Sequence, residues 1–150
     1  MGEAAVFETL AGVIQMSVFN ALNTAIYGKL SAGTALTGLL GGTAIYYQQA
    51  PDKAAVPYVV WSYQSGGYEN LTPREMWSGL AWVRVYAATP ALAGSVDIQI
   101  HALLHEKALT VTGWTNFWLV READFENVET LPNDVKVHMA GGMYRIRLSE

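Results

Sequence analysis

The 150-residue chain contains no cysteine. That excludes a disulfide framework, a cysteine-based zinc site and a thiol nucleophile, and it fits a reducing compartment. Charge is scarce as well: 15% of residues are Asp, Glu, Lys or Arg, against about 25% in an ordinary globular domain. The balance is acidic, with 9 basic and 13 acidic side chains and a net charge of -4, so the chain lacks the basic footprint of a nucleic-acid groove. It has no internal repeat, low-complexity tract or charge run. Gly33 to Gly42 is glycine-rich but lacks the lysine of a phosphate-binding loop, and neither a GxGxxG fingerprint nor a GxSxG elbow occurs.

What is present is apolar and aromatic. Hydrophobic residues make up 51% of the chain, and there are five Trp and eight Tyr. This composition excludes disorder, and the length is that of one domain, expected to span 1–150. A folded chain so poor in charge is expected to cover part of its surface with another chain or with a membrane. The stretch from Thr9 to Gly28 carries no charge and matches a membrane span in length. It is interrupted, however, by Gln15, Ser17, Asn20, Asn23 and Thr24. Phe7, Leu10, Ile14, Val18, Leu22 and Ile26 recur at helical spacing, which predicts an amphipathic helix over about 4–30 packed on protein. The opening Met-Gly-Glu-Ala has no basic segment, so no secretory signal is expected.

Further along, Ser31 is expected to cap a short second helix that ends at Gly41-Gly42. Thr43 to Tyr47 and Tyr58 to Tyr63 read as strands, with Gly66-Gly67 ending the second. A loop over Tyr68 to Ser78 precedes a strand from Gly79, in which Ala81, Val83, Val85 and Ala87 share one face. Thr89-Pro90 begins a third helix, running to about Lys107. Leu109 to Thr112, Trp114 to Phe125 and Met143 to Leu148 complete six strands. The expected class is α+β: a mostly antiparallel sheet with helices packed on one side, a two-layer sandwich.

Candidate chemistry is thin. Asp97, His101 and His105 fall at i, i+4 and i+8 on one helix face, which suits a metal only if a further ligand exists. The residue after His101 is Ala102 rather than the Glu of HExxH, so the expected reading is a solvated face with an Asp–His pair. Glu122, Asp124, Glu126, Glu129 and Asp134 lie in a stretch without a base. Acid–base catalysis would need a pocket that separates their pKa values, and a solvated strand and loop is expected instead. No catalytic, cofactor or metal site is expected. In the 68–78 loop, Tyr68, Arg74, Met76 and Trp77 are of the types enriched at protein interfaces. They read equally well as aromatics folded back onto the sheet.

Several segments, in order, resemble the tail completion, or tail terminator, family of long-tailed bacteriophages. They are Leu39-Leu40-Gly41-Gly42, Ala44-Ile45-Tyr46, a loop containing Pro51, and Pro57-Tyr58-Val59-Val60. A strand ending at Tyr86, a helix after Thr89-Pro90, and Ala102-Leu103-Leu104-His105 follow. Leu109-Thr110-Val111, Gly113-Trp114 and Tyr144-Arg145-Ile146-Arg147-Leu148 close the match, which covers roughly Asn20 to the C-terminus. The longer N-terminal amphipathic stretch and the aromatic 68–78 loop depart from the family pattern. The resemblance implies a non-enzymatic virion protein without cofactors, assembled in the host cytoplasm into a homo-oligomeric ring, typically a hexamer. Such a ring would cap the tail tube, stop its polymerisation and join it to the head connector, with DNA passing through the lumen unbound. Because positions 9–51 carry only Lys29, the N-terminal half is the expected subunit interface, and the acidic segment is expected to face solvent or lumen.

Overall fold

The computed structural model describes residues 17–69 and 74–150. Phe7, Leu10 and Ile14 of the expected first helix, together with Asn70 to Pro73, lie outside the described residues. Eight elements follow one another: α1 (Val18–Ser31), α2 (Thr34–Leu40), β1 (Ile45–Tyr47), β2 (Tyr58–Tyr68), β3 (Met76–Ala87), α3 (Pro90–Leu104), β4 (Thr115–Thr130) and β5 (Lys136–Ser149). The strands form one sheet in the order β1-β2-β3-β5-β4. β1 runs parallel to β2, and the other pairs are antiparallel. The helices pack on it as the second layer of an α+β sandwich, as the alternation in β3 required.

Period decides which side chains enter the core. In β3 every second residue from Trp77 to Ala87 is buried. Tyr144, Ile146 and Leu148 do the same in β5. The helices answer with Leu22, Ile26 and Leu30 from α1, Leu36 from α2, and Val96, Ile100 and Leu104 from α3. Full burial of one such aliphatic side chain contributes about 1.5 to 3 kcal/mol.

Several boundaries differ from those expected, each for a local reason. The first helix does not run through Ser17. That residue is extended, and its hydroxyl accepts the Asn20 N–H as an N-cap, so α1 begins at Val18. Ser31 is the last residue of α1 rather than the cap of α2. Gly33 takes the cap position, where a Cβ would strike the Leu103 side chain. Gly41 ends α2 in the left-handed conformation (φ 73°), as its type predicts.

Gly66-Gly67 does not end β2, which continues to Tyr68. Gly66 is paired with Gly79 across the ladder, and the two leave a slot filled by the Trp77 indole. β3 therefore starts at Met76, three residues before Gly79. The third helix stops at Leu104 because His105 is extended and Glu106 is left-handed (φ 57°). Residues 109–112 are not a strand. Leu109 and Val111 are buried as a plug, and the Leu109 N–H is captured by Asn116 Oδ1 at 2.8 Å. Asn116 also donates to the carbonyls of Trp118 and Arg147, so this buried amide replaces the ladder the segment lacks. The sheet consequently has five strands rather than six. β4 and β5 extend beyond the sequence expectation, to Thr130 and back to Lys136, and form a long hairpin along the sheet edge; its tip beyond the Val128–His138 pair projects past β3 as a short arm.

Candidate assembly surface

The structure separates the four residues singled out in the 68–78 segment. Trp77 lies in the core, 2% exposed, with Phe19 edge-on at a ring distance of 5.6 Å. Tyr68 is 49% exposed and faces the Trp114 ring at 6.2 Å. Arg74 is exposed and donates to the Glu150 backbone carbonyl, and Met76 is half-buried. Tyr68, Arg74 and Met76 thus reach the surface around one end of the β2–β3 pair, and Trp77 supports that end from inside.

The helix face with Asp97, His101 and His105 is engaged differently from the expected Asp–His pair. Asp97 receives two hydrogen bonds from the Arg121 guanidinium, at 2.9 and 2.8 Å. His101 and His105 stack with ring centroids 4.6 Å apart, and His105 Nδ1 accepts the Arg121 backbone N–H at 3.1 Å. His105 Nδ1 is therefore spent on covering the edge of β4. No group of three or more His, Asp or Glu side chains suited to a metal occurs among the described residues.

Arg121 is the centre of this network, although no motif marks it. It bonds Asp97 on α3, Asp124 on its own strand, and the Tyr144 hydroxyl and Gly141 carbonyl on β5. Burial alone would lower its pKa, but Asp97 and Tyr144 outweigh it and hold the guanidinium above its ordinary value. Burial pushes the Tyr144 hydroxyl up to about 12, against a lowering by Arg121. Gly142 leaves room for this arrangement, since a Cβ there would meet the Arg121 side chain. The network ties the root of the β4–β5 arm to α3. A lone arginine immediately before the acidic stretch is the available signal.

The sheet face away from the helices carries alternating aromatics and arginines. Tyr58 and Tyr86 lie with rings 5.3 Å apart, and Trp82 and Phe125 with rings 5.9 Å apart. Arg84 stacks 4.3 Å above the Trp82 ring, and Arg147 lies 5.2 Å above Phe117. Burial raises the pKa of both Tyr58 and Tyr86. Arg145 and Arg147 are paired with Glu122 and Glu69, whereas Arg84 makes no ion pair among the described residues. Trp118 is 48% exposed and Phe125 40% exposed.

Clefts of about 310 to 430 Å3 lie on the described surface. Among the described residues no helix is long and apolar enough to cross a membrane. Exposed aromatics and arginines are residue types enriched at protein–protein interfaces.

Comparison with known proteins supplies the family. The tail completion protein gp17 family matches residues 24–140, and the chain belongs to that family. Its role is accordingly a structural one in the phage tail, within the virus particle. No curated protein sequence matches the chain significantly. Among solved structures, a chain described as "Virion of native gene transfer agent (GTA) particle" superposes with a TM-score of 0.71 at 18% identity, covering 91% of this chain and 100% of its own. A second solved chain superposes with a TM-score of 0.59 at 13% identity, covering 89% of this chain and 96% of its own. At these identities the two structures show a shared fold.

Proposed function

We propose that this protein is a tail terminator, a single-domain subunit that caps the tail tube, stops its polymerisation and joins the tail to the head connector. The observation that carries the reading is the tail completion family match over residues 24–140. In this reading the chain works as a homo-oligomeric ring, a hexamer, with no catalysis and no cofactor. DNA passes through the lumen, where a net charge of -4 helps to avoid trapping a polyanion. The ring forms in the host cytoplasm before or upon docking on the tube. Tyr68, Arg74 and Met76 belong to its contact surface, with Trp77 supporting them from the core. The charge-poor N-terminal half contributes the subunit interface.

Negative-stain imaging of the purified protein, alone and with tail tubes, tests this. Rings with a central hole, or rings seated on tube ends, are expected. A strict monomer that never binds tail tubes would refute the reading. Phage lacking the gene should carry overlong tails; loss of all tails would instead mark a tube component.

A further inference from the structure

We propose that the β4–β5 arm of one copy seats in the cleft beside α1 of a second copy, so that subunits join head to tail. This deepens the assembly reading above and rests on it.

The arm is the part of the described molecule that most lacks a covering. Among the described residues ten large apolar side chains are well exposed, and four of them lie on the hairpin beyond Arg121: Phe125, Val128, Leu131 and Val135. β4 is an edge strand. His105 and Glu106 cover its outer edge at Arg121 and Leu119. Beyond Arg121 that edge makes no backbone hydrogen bond to another element among the described residues. Bare edges of this length invite a partner chain. Glu126 and Asp134 form no ion pair among the described residues, while Glu129 lies beside Tyr58, Tyr86 and Arg84 of its own chain.

Two self-contacts are disfavoured by chemistry. Pairing two arms would set acids against acids, which destabilises cross-strand neighbours. The opposite sheet edge, β1, is closed locally: the Ile45 N–H bonds the Thr43 carbonyl and the Gln49 N–H bonds the Tyr47 carbonyl, both at 2.8 Å. The complementary surface lies on the helical layer. A cleft of about 360 Å3 between α1 and the segment after α3 is lined by Thr24, Ala25, Gly28, Lys29, Ala32 and Leu109. Its lining is mostly small, with Ala25, Gly28, Ala32 and Ala108 beside Thr24 and Thr110, and leaves room for a protruding Val or Leu. Lys29 stands on its wall and Lys107 is next to Ala108, which also lines it. Neither lysine has an ion-pair partner among the described residues. The acidic, apolar arm matches this basic-rimmed, apolar cleft. Arm and cleft are different surfaces, so the contact is heterologous and repeats around a closed ring when the rotation closes.

The absence of native cysteine makes the test clean. Val128 is 49% exposed, and a Cβ at Gly28 meets nothing within 4 Å, so both positions accept cysteine. Mixing Val128→Cys with Gly28→Cys on assembled rings and oxidising should give a covalent dimer, while either variant alone should give none. One chain carrying both should give a ladder of linked subunits. In parallel, Glu126→Lys with Asp134→Lys should weaken assembly about tenfold or more through like-charge contact with the lysines. Adding Lys29→Glu and Lys107→Glu should restore it to within about threefold, with far-UV circular dichroism and melting confirming each fold. Rings that form without the 28–128 link, or Val128→Cys linking to itself, overturn the seating and leave the ring intact. Absence of rings both alone and on tail tubes overturns the assembly reading with it.

Discussion

The slot between Gly66 and Gly79 offers a sharp test of how this sheet is packed. The two glycines face each other across the β2–β3 ladder, and the Trp77 indole lies over both. A Cβ at Gly79 would run into that ring and come within 2.9 Å of the Ser65 carbonyl oxygen. The indole cannot step aside, since Phe19 stands edge-on to it at a ring distance of 5.6 Å. Gly79→Ala is therefore an overpacking change costing about 2 kcal/mol. At the slope expected for a chain of this size, that lowers Tm by roughly 4 to 8 °C. Trp77→Ala removes a buried aromatic and costs about 3 to 5 kcal/mol. The two changes should not add. Once the indole is gone, most of the clash at Gly79 disappears, and the double variant should lie about 1 to 2 kcal/mol above the sum of the singles. Chemical denaturation of the four proteins measures this cycle. Additivity within about 0.5 kcal/mol would refute the argument that these glycines exist to admit Trp77.

Arg121→Met should destabilise the chain by about 2 to 4 kcal/mol, because it strands the mostly buried Asp97 carboxylate and the Tyr144 hydroxyl without a partner; urea unfolding reads this, and a change below about 0.5 kcal/mol would contradict it. Alkaline pH should unfold the protein through its buried phenols. The folded pKa of Tyr144 is raised from 10.0 to about 12, and that of Tyr63 is raised further by burial. The folded state therefore holds protons that the unfolded chain releases. This contribution is present in full below pH 10, is lost as pH rises toward 12, and amounts to about 2 to 3 kcal/mol for Tyr144. Stability that stays flat from pH 9.5 to 12 would refute it.

Much of the architecture was legible in one dimension. The alternation Ala81, Val83, Val85, Ala87 set the buried face of β3, because a strand's side chains alternate whatever it pairs with. Thr89-Pro90 marked the start of α3, and Gly41 the end of α2, because capping is local chemistry. Gly66-Gly67 misled for the opposite reason: glycine breaks a strand by default. Here a tryptophan eleven residues downstream needs the space that two missing Cβ atoms provide. The 109–112 segment has strand composition, but Asn116 claims its backbone N–H before a ladder can form. At the candidate surface, Tyr68 and Arg74 were visible by residue type. That Trp77 is buried beside them, and that Arg121 rather than His101 partners Asp97, depends on neighbours distant in sequence.

The charge shortage divides along the same line. Composition alone determined that this chain folds, lacks thiol chemistry, and carries too little charge for an ordinary soluble surface. The order of its short segments was enough to suggest its family. Which surface is short of a partner was decided only by the tertiary structure. Folding places the uncharged α1 stripe against the sheet and carries Phe125, Val128 and Leu131 out on an acidic arm. Burial is a property of pairs of faces, and a single strand of sequence contains only one member of each pair.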